Sequence, residues 1–314
     1  MVLSVARWFD AEAGRPGLVS ADPDRVDWLR IVPFLSLHVL CLAPIWVGWS
    51  GAAVGVAVGM YAIRMFAITG GYHRYFSHRT FRTSRAMQFV LAVLGNMAAQ
   101  RGALWWASHH RRHHRCADTP DDVHSPLQHG FLWSHVLWLT TPRNFATEMD
   151  RVRDWARYPE LRFLNRFSML VPVLTAGGLY GLGEALRAVA PTWGTDGVQM
   201  VIWGFVISTV VLYHATFTIN SLDHMVGRRR YETADGSRNN WVLALLTFGE
   251  GWHNNHHRYP GSARQGFYWW ELDLTYYILV ALSWVGLVRD LRPVSARVLA
   301  EGRTNPAPPP PSPE

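Results

Sequence analysis

The sequence predicts an all-α integral membrane protein, with four transmembrane helices in two hairpins and a cytoplasmic helical cap that holds a histidine-rich site for two metal ions. Three observations lead there. Four apolar runs have about the length a helix needs to cross a bilayer. Arginines crowd the segments between and after those runs on one side. Histidines recur in three clusters, and all three lie at or inside the arginine-rich segments.

The first 30 residues mix polar and apolar side chains and have no apolar h-region behind a basic start, so no cleavable signal peptide is expected there. Residues 31–49 form the first expected span and 52–70 the second, joined by Ser50 and Gly51. Such a short joint implies a helical hairpin. The second span carries one charge, Arg64, expected to snorkel or pair locally near the helix exit. Residues 71–166 hold 14 of the 30 arginines, and their apolar stretches are short and interrupted. They are assigned to the cap. Residues 167–186 and 198–219 are the third and fourth spans, with one Arg and one Asp between 187 and 197. The cap resumes over 220–293. Within it Trp241–Phe248 is too short to span, and the 272–288 run, opened by Glu271 and Asp273, is expected at the interface. Residues 294–314 end in Asn305-Pro-Ala-Pro-Pro-Pro-Pro-Ser-Pro-Glu314 and are read as a Pro-rich disordered tail.

The arginines also set the orientation. Both long Arg-rich segments fall on one side and the nearly uncharged connections on the other, so the positive-inside rule makes the His clusters and both termini cytoplasmic. There is no Lys; the formal net charge is +7. The two cysteines, Cys41 and Cys116, suffice neither for a disulfide framework nor for a cysteine-based zinc site.

Histidine therefore carries the chemistry. His253, His256 and His257 stand at i, i+3 and i+4, as do His110, His113 and His114, which places each triplet on one face of a helix. His73 and His78 are five apart, roughly 140° round an α-helix, and converge only where the second span ends or unwinds. Eight imidazoles exceed what one ion of six or fewer ligands takes, so two ions are expected. Imidazole suits Fe, Zn, Cu and Ni, so ligand type leaves the metal open. His38, His109, His129, His135 and His214 read as structural or surface residues. His124, just after a cluster, reads equally as surface or as support for a ligand.

These motifs, His73-Arg-Tyr-Phe-Ser-His78, His110-Arg-Arg-His-His114, Asn220-Ser-Leu-Asp-His224 and Gly249-Glu-Gly-Trp-His-Asn-Asn-His-His257, resemble those of the membrane-bound fatty acid desaturases. The similarity is greatest to the acyl-CoA Δ9 (stearoyl-CoA) branch in its bacterial form, and covers about residues 30–293. The resemblance implies a di-iron centre, two Fe²⁺ ions, beneath a cytoplasmic cap. By that resemblance one iron takes His73, His78, His114 and His257, with Asn220 acting through a water. The other takes His110, His113, His224, His253 and His256. Asp118, Asp122, Asp223 and Glu250 lie within a few residues of ligands and are candidates to support them, since metal-bound His commonly donates its other N–H to a carboxylate. Gln100, Trp106 and Thr216 match positions at the bend of a substrate tunnel, and Tyr61 and Met65 positions near its closed end.

The implied activity is O2-dependent insertion of a cis double bond, Δ9, into a saturated acyl-CoA or related fatty acyl thioester, in the bacterial plasma membrane. One departure bears on the carrier: Ser108-His109 stands where the acyl-CoA branch has an Arg-Asp pair. No dinucleotide, flavin or haem motif is evident, so electrons are expected from a ferredoxin or cytochrome b5-type partner steered to the basic cap. Membrane lipid competes for the same arginines; nucleic acid is not an expected partner. The rival enzyme is a di-iron acyl or alkane hydroxylase. A His-rich metal transporter is the non-enzyme rival, but it needs ligands near the bilayer midplane, not at helix ends.

Overall fold

A computed structural model describes residues 2–13 and 24–304. The chain forms two compact units interleaved in sequence. One comprises 1–72, 88–109 and 139–214, the other 73–87, 110–138 and 215–314. Of the residues expected in the cap, 88–109 and 139–166 cluster with the first unit. Local bonds explain this: Asn165 Oδ1 accepts the Trp105 N–H at 2.8 Å, and a Cβ on Gly102 would lie 2.4 Å from the Asn165 Cα.

In the first unit, Ser50 caps the helix Gly51–Phe66 by accepting the Ala53 N–H. The helix continues as a π-helix over Ala67–Ser77. A second π segment, Ile202–Ile207, interrupts the helical run from Gly197. Met60, Leu179, Met200, Ile202, Phe205 and Val206 form an apolar core cluster in this unit. Glycine lets two elements meet there: a Cβ on Gly183 would lie 2.3 Å from the Asp196 carbonyl oxygen. Arg64 does not snorkel. It is fully buried and hydrogen-bonds to the Met60 and Met97 carbonyls and to the Ser208 and Thr209 hydroxyls.

Among the described residues, two helices are long and apolar enough to cross a bilayer, Gly51–Ser77 and Gly197–His224. They contain the expected spans 52–70 and 198–219. The expected span 167–186 lies on Leu170–Val189, which qualifies only together with Pro159–Arg166, at a bend of 73°. The expected span 31–49 is broken into Val32–Leu40 and Pro44–Val47, since Pro44 has no N–H to continue the helical ladder. Leu274–Trp284, at 11 residues, reaches only about 16 Å.

In the second unit, Arg82–Thr83 pairs antiparallel with Val288–Arg289. Helices Trp241–Leu246, His253–Arg258 and Leu274–Trp284 follow the histidine-bearing end of Ala103–Cys116. The region expected to be tail from residue 294 is a helix over Ala296–Thr304. Val298 packs with Tyr231, Phe267 and Tyr268, whose tyrosine hydroxyls donate to the Val298 and Leu299 carbonyls. The remaining tail, residues 305–314, lies outside the described residues.

Candidate metal centre

Nine of the 15 histidines gather in the second unit as two sets. His73, His78, His110, His114 and His256 form one; His113, His224, His253 and His257 form the other. Within each set the ligand nitrogens lie within 4.8 Å of one another. In the first, Nε2 atoms approach at 3.0 Å (His73–His256), 2.8 Å (His78–His110), 3.0 Å (His110–His114) and 2.9 Å (His114–His256). In the second they approach at 3.4 Å (His113–His257) and 3.1 Å (His224–His253).

Helix geometry makes the sets. The π-helix brings His73 and His78 together: the His78 N–H donates to the His73 carbonyl at 3.2 Å, the i to i+5 bond of a π turn. In each triplet the i and i+4 imidazoles stay together, while the i+3 imidazole joins the other set. His110 and His114 are thus completed by His256, and His253 and His257 by His113. This grouping differs from the one the resemblance implies. His110 and His256 join His73, His78 and His114, and His257 joins His113, His224 and His253.

Carboxylates hold the far sides of the rings. Asp122 accepts from His113 Nδ1 at 3.0 Å, Asp118 from His224 Nδ1 at 2.7 Å and Asp235 from His257 Nδ1 at 2.8 Å. Glu250 pairs with His73 Nδ1 and with Arg74, which also pairs with Asp273 at 2.9 Å. Gln265 Nε2 lies 3.2 Å from His73 Nδ1 and 3.4 Å from His256 Nδ1. Of the four acidic residues expected beside ligands, Asp118, Asp122 and Glu250 are there. Asp223 is not: it is buried, and neither carboxylate oxygen has a hydrogen-bond partner among the described residues. On the 3₁₀ turn Leu222–His224 adjacent side chains diverge by about 120°, so Asp223 points away from the ring of its neighbour. Asp235 and Gln265 had no sequence signal, since neither lies close to a histidine cluster in the chain.

The donor set fits a metal ion. His113, His224 and His257 each commit Nδ1–H to a carboxylate, so a ring carrying that one proton turns a bare Nε2 lone pair inward. Three lone pairs converging with no proton between them repel unless a cation sits among them. Burial, helped by neighbouring imidazoles, holds His78, His110, His114, His253 and His256 well below the usual imidazole pKa. Burial takes His257 down to about 4 against the opposing pull of Asp235. His113 is raised instead: burial lowers it, but Asp122, Asp118 and Asp235 together win. Burial pushes Asp118 up, yet its bonds to His224, Ser125 and Gly236 bring it to about 2. Asp122 and Asp235 are likewise held below the carboxylate range by their imidazoles, against burial.

The two asparagines between the ligands lock this turn. Asn254 Oδ1 accepts the Arg230 and Tyr231 N–H groups at 2.8 and 2.7 Å, and Asn255 Nδ2 donates to the Gln265 carbonyl at 3.0 Å and to Glu271 at 2.9 Å. Asn220 uses its carbonyl to accept from Ser134. In the first unit, Trp106 Nε1 donates to Gln100 Oε1 at 3.4 Å, and Tyr61 and buried Met65 lie one turn apart on Gly51–Phe66. Thr216 belongs to the second unit. The histidines expected to be structural stay outside both sets; His38 and His214 instead face each other, Nε2 to Nε2, at 3.2 Å.

A helical chain with long apolar helices and two all-histidine sets backed by carboxylates is in class a membrane-associated protein with side chains placed to hold metal ions. The comparisons make that specific. The sequence profile of the fatty acid desaturase family matches residues 46–283. The chain is 37% identical over 271 residues to acyl-CoA 5-desaturase AL21 of Anemone leveillei, covering 85% of this chain and 79% of that one. It is 36% identical to the sn-1 stearoyl-lipid 9-desaturase of Anabaena variabilis, covering 88% and 97%. To the sn-2 palmitoyl-lipid 9-desaturase of Nostoc sp. (strain 36) it is 34% identical, covering 84% and 90%. The chain belongs to the fatty acid desaturase family, and its place is in lipid metabolism.

Proposed function

We propose that this protein is an O2-dependent desaturase that places a cis double bond at the Δ9 position of a saturated acyl chain. The observation that carries the reading is the convergence of three carboxylate-anchored imidazole lone pairs in one histidine set, beside a second set of five, in a desaturase-family chain. Two iron ions held by the nine histidines, with Asn220 contributing through a water, would supply the O2 chemistry needed to break unactivated C–H bonds that no side chain attacks. The chain's own residues orient and tune. Asp118, Asp122, Asp235 and Glu250 keep the imidazoles in the tautomer that presents Nε2, and burial keeps most of the rings neutral at pH 7. Tyr61, Met65, Gln100, Trp106 and Thr216 line the acyl path, since position alone distinguishes one methylene from the next. Two protons and two electrons leave the acyl chain, a ferredoxin or cytochrome b5-type donor supplies two more electrons and solvent two more protons, and O2 leaves as two waters.

The carrier is an acyl thioester, with acyl lipid as the second reading. Two features favour the second. The Anabaena and Nostoc relatives are named as acting on lipids. Ser108 and His109 are buried and turned to the Trp105 and Ala146 carbonyls, so neither presents a charge to a thioester headgroup. Four spans are retained in this reading. Val32–Val47 carries Ile45 at 75% and Trp46 at 77% exposure, side chains that lipid would cover; the arginine distribution supports cytoplasmic termini, and the membrane in this reading is a bacterial plasma membrane. Expression in a host without desaturases, followed by mass spectrometry of double-bond position, tests the reaction. Monounsaturated chains are expected; hydroxylated chains would move it to the hydroxylase.

A further inference from the structure

We propose that His124 is a positioning residue of the metal centre, fixing Asp122 and, through Asp122, the candidate ligand His113. The inference rests on the metal-centre reading and deepens it. Asp122 is 1% exposed at its side chain, and its contacts divide by oxygen. Oδ2 accepts from His113 Nδ1 at 3.0 Å and from the Asp118 N–H at 3.0 Å. Oδ1 faces His124 twice, at 3.3 Å from Nδ1 and at 3.3 Å from the backbone N–H. Its main-chain carbonyl faces His129 Nε2 at 3.2 Å.

A carboxylate that must hand one fixed oxygen to a ligand ring needs its other oxygen held as well. Here the Oδ1 contacts come from one residue. The His124 ring is itself confined, 4.6 Å from the His113 ring and 4.8 Å, edge-on, from Trp138. His113, Asp122 and His124 are all buried, so loss of the His124 imidazole leaves a gap beside a buried anion. His113 can then tilt, and its Nε2 no longer points where the other three nitrogens of its set converge. The same three residues bring donor atoms within 4.8 Å of one another and could be read as a third ion site. That reading requires His113 Nδ1 to surrender the proton it shares with Asp122, which positioning does not.

The test is anaerobic Fe(II) binding by the full chain in detergent, in competition with a chromogenic chelator, with iron counted per protein. His124→Leu is expected to weaken one of the two ions by roughly 10- to 100-fold, the usual loss when an outer partner of a ligand is removed. His124→Asn, whose amide reaches the place of Nδ1, is expected to stay within a few-fold of wild type. His124→Gln, whose amide reaches the place of Nε2, is expected to weaken binding like Leu. His129→Gln, which removes a ring that meets the Asp122 main-chain carbonyl and the Trp133 ring but not the Asp122 carboxylate, is expected to change nothing. On an Asp122→Asn background, His124→Leu is expected to add no further loss, because the action runs through Asp122.

Wild-type affinity in His124→Leu overturns the proposal. So does an additive loss in the double variant, or a third ion that vanishes with His124. If His124→Leu does not fold, the Asn and Gln variants decide, and equal behaviour of those two overturns it. A wild-type chain that binds no iron sinks the metal-centre reading itself, which is a separate result.

Discussion

Four of the candidate ligand imidazoles, His73, His113, His224 and His257, meet a carboxylate on the outer nitrogen, and that outer contact can be removed without touching the ring. Asp235 meets His257 at 2.8 Å, and Glu250 joins His73 to Arg74. Asp235→Leu and Glu250→Ala are each expected to lower iron affinity by about 10- to 100-fold, or about 1.4 to 2.7 kcal/mol. Iron per protein after gel filtration checks this; an unchanged ratio removes that carboxylate from the centre. Asp223→Asn is the contrast, since its carboxylate touches no imidazole, and iron content should hold. Much of the residue set was legible from sequence, because six histidines at helical spacing, with His73 and His78, already pointed to two ions. His224 came only with the family motif. Asp235 lies 22 residues before its partner, and Gln265 bears no charge, so neither carries a local signature.

At the scale of the element, sequence reasoning depended on α-helical spacing, and the departures from it shape the site. The wide separation of His73 and His78 in an α-helix vanishes in the Ala67–Ser77 π-helix. Periodicity marks where a helix must unwind, not that it widens instead. The grouping implied by the family resemblance sets the i+4 imidazole of each triplet apart, whereas in the structure it is the i+3 imidazole that departs from the i, i+4 pair. The break at Pro44 was written in the chain, yet hydropathy alone ran across it. Small residues matter at this scale too. Gly183→Ala places a Cβ 2.3 Å from a backbone carbonyl that cannot give way, and should destabilise by about 1–3 kcal/mol. Gly178→Ala, in the same helix with nothing within 4 Å, should stabilise by up to about 1 kcal/mol. Thermal unfolding in detergent separates the two by sign; a fall for both variants would show that the helix tolerates neither. On the same scale, Tyr61→Ala and Met65→Ala should shift the products toward longer acyl chains. A chain-length profile identical to wild type would place the end of the acyl path elsewhere.

For the whole molecule, the balance of charge bears on how the proposed electron donor would reach the protein. The chain carries a net charge of +7, all of its basic residues are arginine, and 24 of the 30 lie in residues 71–166 and 228–303. An electron carrier with an acidic surface is drawn to such a field, and the attraction is screened beyond about 10 Å at 0.1 M salt. The turnover rate with an acidic ferredoxin at limiting concentration should therefore fall several-fold between about 20 and 200 mM salt, through the association rate more than through the chemical step. Two controls keep lipid binding from imitating this. Measuring in neutral detergent removes anionic headgroups that would compete for the same arginines. Supplying electrons from a small uncharged reductant should give a rate nearly independent of salt. A ferredoxin-driven rate that is flat in salt, in neutral detergent, would assign the arginines to the membrane and leave the donor to be recognised by shape.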